Sequence, residues 1–275
     1  MEERILTTKE IKTFQRQIYR YYKLHRRDFP WRRTTNSYNI LVSEIMLQQT
    51  QVERVHDKYL EFIKALPDFD ALARASQKDV LVMWQGLGYN RRALALKKLA
   101  EDIVSQYDGR LPNDAQTLSS LSGIGKTTAG AILAFAFNIP SAFIETNIRR
   151  VFIHEFFSEE EEVKDAKILP LVEATIDRKN PREWYWALMD YGSMLKREVE
   201  NPNRRSAHFT RQSSFEGSDR RIRGLVIKTL LKDNALTAET LSEATSVSCD
   251  HLIQILAVLM DEGFICQENG LYKIA

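Results

Sequence analysis

Leu118-Ser-Ser-Leu-Ser-Gly-Ile-Gly-Lys-Thr-Thr-Ala-Gly-Ala-Ile-Leu133 reads as the end of one helix, a tight turn through Gly123-Ile124-Gly125, and the start of an Ala/Leu-rich helix. The two glycines leave main-chain N–H groups bare at a helix N-terminus, where dipole and hydrogen bonds together hold a phosphate. Lys126 adds a positive charge. A plain αα-hairpin whose turn needs φ > 0 is the alternative reading. A Walker loop is excluded, because that loop keeps four residues between its glycines and then continues Gly-Lys-Ser/Thr.

On both sides of this stretch the apolar spacing is helical. Ile40, Leu41, Ile45, Met46 and Leu47 make one face, and Val55, Tyr59, Leu60, Phe62 and Ile63 another. Leu72, Val80, Leu81, Met83 and Trp84 continue the pattern, with Pro67 marking a boundary. No alternating strand run precedes the end of the chain, so residues 1–210 are predicted all-α. Residues 201–219 are polar and break-rich and read as a linker or wrapping arm. Beyond them Ile222, Leu225, Val226, Thr229 and Leu230 mark one helix and Thr237–Ala244 a second. Ser248 is the expected N-cap of a third, which Gly263 ends. Asn269-Gly270 between two short apolar runs signals a hairpin. Three helices and a hairpin predict a winged helix for 211–275.

Composition sets the outer limits. At roughly 150 residues per domain, 275 residues suggest about two domains. With 44% hydrophobic and 28% charged residues the chain is an ordinary globular one, so disordered and collagen-like readings are out. Ala129–Phe137, among the longest apolar stretches, is about half a membrane span. The opening Met1-Glu-Glu-Arg-Ile-Leu has no long apolar segment, so a cytoplasmic location is expected. The two cysteines, Cys249 and Cys266, make neither a disulfide framework nor a metal-ligand set. Net charge is only +2, but bases gather in Tyr22–Arg33 and Lys196–Arg223 while Glu159–Glu162 is acidic. Such sorting suits a polyanion on one surface; solvated basic faces are the simpler alternative.

Further segments carry a resemblance. Phe29-Pro-Trp-Arg32, Leu41-Val-Ser-Glu-Ile-Met-Leu-Gln-Gln-Thr-Gln-Val52, Trp84-Gln-Gly-Leu-Gly-Tyr-Asn-Arg-Arg-Ala93 and Ile144-Glu-Thr-Asn-Ile-Arg-Arg-Val151 stand in order around the hairpin. Together they resemble the helix-hairpin-helix (HhH-GPD) base-excision DNA glycosylases, with the adenine-specific MutY branch nearest. The resemblance covers about residues 10–200. It implies an all-α, two-lobed glycosylase fold: a six-helix barrel lobe over about 34–140, a second lobe from 1–33 plus 141–210, and the winged helix after it. The implied partner is double-stranded DNA holding a mispaired or damaged base, in the cytoplasm at the nucleoid.

Breaking an N-glycosidic bond needs an acid for the departing base and a negative charge for the oxocarbenium-like sugar. Glu44, inside an apolar helical face, should have a raised pKa, and by resemblance it is the proton donor and water activator. Glu145, opening the next motif, is the expected stabiliser, kept ionised by the helix N-terminus. The family normally has Asp there, and Glu is a poor N-cap, so capping does not explain the choice. Trp31, Arg32, Thr127 and Trp186 are the implied base pocket; Trp186 stands where the family's adenine-reading glutamine falls. A buried Trp beside a surface Arg is the plain alternative for Trp31 and Arg32.

By resemblance Gln48 and Gln49 fill the hole left by the flipped base and Tyr89 wedges between neighbours. Arg91, Gly123, Gly125, Lys126, Arg204 and Arg205 complete the expected DNA contacts. Carbonyls of Ser119, Leu121 and Ile124 are the implied monovalent-cation site. The lysine of bifunctional relatives matches Thr127, and Lys126 is one residue early, so a monofunctional enzyme is expected. Relatives hold an iron–sulfur cluster with four cysteines after the Met189-Asp-Tyr-Gly192 position; here Ser193-Met-Leu-Lys-Arg-Glu follows, so no cluster is expected. The basic window 204–223 is expected to replace its phosphate contacts. The short module stands where adenine glycosylases carry their 8-oxoguanine-inspecting domain. From Asp233 to Glu262 it has acids and no Lys or Arg, so packing on the catalytic body or binding a protein is expected over DNA reading. Adenine opposite guanine or 8-oxoguanine is the first substrate reading and T:G or U:G the second; a non-catalytic DNA-binding regulator and an abasic-site lyase are the readings from other classes.

Overall fold

The computed structural model describes residues 4–210 and 216–275. In chain order its helices are α1 (Thr8–His25), α2 (Ser37–Leu47), α3 (Val52–Ala65), α4 (Phe69–Arg74), α5 (Gln77–Trp84), α6 (Arg91–Gln106) and α7 (Ala115–Ser120). There follow α8 (Lys126–Phe137), α9 (Thr146–Phe156), α10 (Asp165–Thr175), α11 (Pro181–Glu198), α12 (Asp219–Asp233), α13 (Ala238–Thr245) and α14 (Cys249–Asp261). The strands are β1 (Ala235–Leu236), β2 (Ile265–Glu268) and β3 (Leu271–Ile274). The architecture is mostly helical, as expected. No helix among the described residues is long and apolar enough to cross a membrane.

The chain forms two compact units that cut it elsewhere than the expected lobes. Among the described residues one comprises 4–44 and 111–210, the other 45–110 and 216–275. The expected lobe 34–140 is therefore divided, and the described part of the carboxy-terminal module, 216–275, falls in the second unit. The reason in the first unit is packing of α8 with α11, and of Gly130 on Phe143, whose ring leaves no room for a Cβ at that glycine. The same unit is centred on Phe14, Phe152, Phe156 and Trp184, with ring centroids 5.0 to 5.7 Å from Phe14.

In the second unit Phe62 and Trp84 meet edge to face at 6.1 Å. The carboxy-terminal module joins this core because α12 packs on α5 and Glu262 receives Arg91 of α6. Thr237 caps α13 through Thr240 N–H, and Gly263 at φ +73° ends the third helix of the module. Ser248 is the N-cap residue of α14, without a side-chain cap bond. Asn269 and Gly270 both have positive φ, the turn that fits a two-residue hairpin. A strand missed from the sequence, β1, adds to that hairpin: the sheet is antiparallel in the order β1–β3–β2, with Leu236 opposite Tyr272 and Cys266 opposite Lys273. Two residues are too few to show an alternation.

Candidate active site

The middle of α2 is mostly apolar and buried, from Ile40 to Val42 and again at Ile45 and Met46. Glu44 is its one carboxylate. Asn36 starts the helix, its side-chain oxygen accepting the N–H groups of Tyr38 (2.9 Å) and Asn39 (3.2 Å). Burial pushes the Glu44 pKa up to about 8; the nearby Glu145 charge adds to the rise and Arg32 opposes it. Two carboxyls far apart in sequence thus share one electrostatic environment inside the first unit.

Glu145 departs from expectation in two ways. It is the N-cap of α9, its Oε1 accepting from the N–H groups of Asn147 at 2.7 Å and Ile148 at 2.8 Å. The longer side chain reaches both donors, so capping does account for a carboxylate here, which corrects the argument from N-cap statistics. Its pKa is raised, not lowered: burial outweighs those N–H donors and the charges of Arg150 and Arg149. Asn147 supports it further, its Nδ2 donating to Glu145 Oε2 at 3.2 Å while its Oδ1 accepts from Arg150 Nη1 at 2.7 Å. Arg150 in turn donates to the Gly192 carbonyl at 2.7 Å. A Cβ at Gly192 would collide with the Asn147 carbonyl, so glycine lets α11 approach the start of α9.

Arg32 is anchored by a buried carboxylate and lies close enough to Glu44 for its charge to oppose the rise in that pKa. Its two terminal nitrogens grip Asp190 at 2.8 and 2.9 Å, and Arg27 Nε binds the same carboxylate at 2.6 Å. Asp190 is buried, with two arginines to compensate its charge. Trp31 is buried and stacked on Phe29, with centroids 5.1 Å apart. Trp186 is half-buried, stacks on Phe135 at 6.0 Å and lies under the Arg32 guanidinium. Thr127 is exposed on the first turn of α8 beside Lys126. The basic window 22–33 is thereby partly neutralised, Arg33 pairing with Asp28 as well.

In the α7–α8 turn only Gly123, at φ +76°, needs a left-handed backbone. Gly125 is the N-cap of α8 at φ −86° with open space where a Cβ would stand, so its missing side chain clears the approach to the first-turn N–H groups. The Leu121 carbonyl accepts from Ile124 N–H at 3.1 Å and keeps a second lone pair. Hard carbonyl oxygens such as these three are the donor type a monovalent cation takes.

The second unit holds the other expected DNA contacts. Gln49 and Tyr89 both have positive φ, +53° and +48°, unusual for non-glycine residues and a mark of functional turns. Arg92, which sequence reasoning left without a role, ties the two turns together. Its guanidinium donates to the carbonyls of Ile45 and Met46 at 2.9 Å, to the Gln48 and Gly88 carbonyls, and to Thr50 Oγ1. Burial holds its pKa down at about 10. With the Leu87 carbonyl at 3.3 Å, five carbonyls converge on this one guanidinium, a meeting of distant residues that no local sequence pattern signals.

Three expected contacts are redirected by their partners. Arg205 donates to the carbonyls of Phe157, Ser158 and Glu160, closing the chain after α9 rather than facing outward. Arg204 is exposed but pairs with Glu200 at 2.9 Å, and Arg91 pairs with Glu262. Arg211, also in the basic window, lies outside the described residues.

Residues 42–170 match the family of HhH-GPD superfamily base excision DNA repair proteins. The chain is 37% identical over 179 residues to an adenine DNA glycosylase of Buchnera aphidicola, covering 64% of this chain and 50% of that protein. It is 33% identical over 231 residues to the adenine DNA glycosylase of Mycolicibacterium smegmatis, covering 78% and 79%. A thymine/uracil-DNA glycosylase of Methanothermobacter thermautotrophicus is 30% identical, covering 69% of this chain and 87% of that one. The chain thus spans about half the length of some curated relatives and most of others. Among solved structures, a thermostable thymine-DNA glycosylase superposes with a TM-score of 0.63 at 26% identity, over 70% of this chain and 91% of that one. An endonuclease III–DNA complex shares the fold at a TM-score of 0.54 and 17% identity. From the Glu44 helix through the hairpin to α10, this chain belongs to the HhH-GPD superfamily of base excision DNA repair proteins.

Proposed function

We propose that the protein is a monofunctional DNA glycosylase of base excision repair, acting on adenine opposite guanine or 8-oxoguanine. The observation that carries the reading is a pair of half-buried carboxyls, Glu44 on the apolar helix α2 and Glu145 at the start of α9, near enough that the charge of one raises the pKa of the other. Glu44 gives its proton to the departing base as the C1′–N bond breaks. The Glu145 carboxylate, held by Asn147 and Ile148 N–H groups, steadies the oxocarbenium-like sugar. Water then adds at C1′ and returns a proton to Glu44, restoring the acid. Gln48, Gln49 and Tyr89 take the roles of filler and wedge for the extruded base. Gly123, Gly125 and Lys126 hold a phosphate at the α8 N-terminus. The carbonyls of Ser119, Leu121 and Ile124 would hold a monovalent cation there and add positive charge toward that phosphate. Lys126 stands one residue, about 100° of helix, from the position matching the nucleophilic lysine of bifunctional relatives, which supports hydrolysis without strand cleavage. We read 216–275 as a winged helix, and a DNA substrate places the protein in the cytoplasm at the nucleoid.

A thymine or uracil reading has its own support. Trp186 offers a stacking face and one donor where the adenine glycosylases have an amide, and the thymine-DNA glycosylase structure covers the shared fold. The test is a panel of duplexes containing A:8-oxoG, A:G, T:G and U:G, each cleaved with alkali after reaction. Base release from an A-containing duplex, abolished by Glu44→Gln, supports the first reading; release from T:G or U:G alone supports the second. Binding without release on any duplex supports a non-catalytic regulator, and a borohydride-trapped adduct would show a lyase.

A further inference from the structure

An open groove of about 1230 Å³ runs through the second unit. One wall carries the Gln48–Gln49 turn, the Gly86–Tyr89 loop and α3; the other is α12 of the carboxy-terminal module. Among the described residues that line it, seven are Lys or Arg and none is acidic. Glu262 compensates part of that charge by pairing with Arg91 and Arg223, and Glu61 pairs with Lys58. Arg54 and Lys228 are exposed, one on each wall. Of the module's acids, which argued from sequence against DNA, Glu262 reaches this face through Arg91 and Arg223, and none is among the described residues that line the groove. An open groove lined by seven cations suits a phosphodiester backbone, because neutralised phosphates release counterions as they enter.

The second observation concerns Tyr89. Arg220 Nη1 donates to Tyr89 Oη at 2.9 Å, and its guanidinium lies 5.5 Å from the ring centroid. Arg92 lies 5.4 Å from the same centroid. An aromatic side chain on a strained turn is therefore held by one arginine from its own loop region and one from the module. A wedge must be rigid before it meets the stack, since ordering it during binding would weaken the complex.

We propose that the carboxy-terminal module is part of the DNA grip: Arg220 is a positioning residue for Tyr89, and Arg54 and Lys228 bind phosphates of the DNA backbone in the groove. This rests on the glycosylase reading for the purpose of the grip, but its test does not use base release. The full chain carrying Glu44→Gln, which keeps the DNA intact, is titrated onto an undamaged duplex at several salt concentrations. Lys228→Ala and Arg54→Ala should each lower the slope of log K against log salt by about 0.9, one phosphate apiece. Unchanged slopes in both would overturn the phosphate assignment.

Arg220→Ala is read with 2-aminopurine placed beside the target base, whose fluorescence rises when it unstacks. The rise should fall several-fold, with partial recovery in Arg220→Lys, and Tyr89→Phe should lose part of the same signal without adding to the Arg220→Ala loss. Full unstacking by Arg220→Ala, or additive losses, would overturn the positioning role. Lys228 is exposed, so its salt slope decides the groove even if Arg220→Ala is too unstable to read. Normal unstacking and salt slopes in the Glu44→Gln chain, with no base release by the unmutated chain on any duplex, would instead remove the glycosylase reading and leave the grip standing.

Discussion

Glu44 keeps its proton near neutral pH because burial disfavours its charge and the Glu145 charge disfavours it further. As a general acid it should work below its pKa and fail above it, so base release measured under single-turnover conditions should fall as pH rises through about 8. The same shift is linked to stability. A carboxyl whose folded pKa is raised contributes fully below its ordinary value of 4.5, and that contribution is lost as pH rises through about 8. Glu44→Gln should accordingly flatten the decline of thermal midpoint across this window while abolishing base release. Glu145 separates two roles that the sequence mixes. Glu145→Gln keeps an oxygen for the Asn147 and Ile148 N–H groups and should cost about 1 kcal/mol or less in denaturant melts. If the charge serves the sugar, single-turnover base release should nevertheless drop by about 10² or more. Release at the wild-type rate would leave Glu145 as a cap alone.

The helices owe their placement to a few close approaches. At the α9–α11 crossing, Gly192 lies against the Asn147 carbonyl, and Asn147 in turn holds Glu145 and Arg150. Gly192→Ala is expected to destabilise the fold by about 1–3 kcal/mol in urea unfolding, because backbone has little room to yield. It should also slow base release by moving the Glu145 cap, whereas Gly125→Ala, with open space around it, should leave stability within about 1 kcal/mol and weaken DNA binding instead. The two glycines of the hairpin thus meet different needs. Gly123 answers to its backbone angle; Gly125 answers to access.

Across the whole molecule, the carboxy-terminal module is attached by charge as well as by its apolar helix. Hydrogen bonds from Arg91, then Arg223, hold the Glu262 pKa down at about 2. A depressed carboxyl contributes above its ordinary 4.5 and loses that contribution as pH falls through about 2. Acid should therefore loosen the module on the 45–110 helices. Glu262→Gln should loosen it at neutral pH by about 1–3 kcal/mol, seen as faster amide exchange in α12 and α14 with α9 and α11 unaffected.

Much of this protein is legible in its letters, because local physics writes it there. Helical periodicity over residues 1–200, the Gly123 turn, the Asn269-Gly270 hairpin and an acid inside the apolar face of α2 each depend on neighbours a few residues away. The raised pKa of Glu44 follows from that face alone, although its size depends on Glu145. What needed tertiary structure is everything set by partners far along the chain. Asp190 decides that Arg32 is an anchor, and the carbonyls after α9 take up hydrogen bonds of the Arg205 guanidinium. Arg92 gathers two turns forty residues apart, and α12 brings its bases to the Tyr89 loop. Charge and hydrogen-bonding capacity can be counted in a sequence, but which partner consumes them is fixed only when the chain has packed.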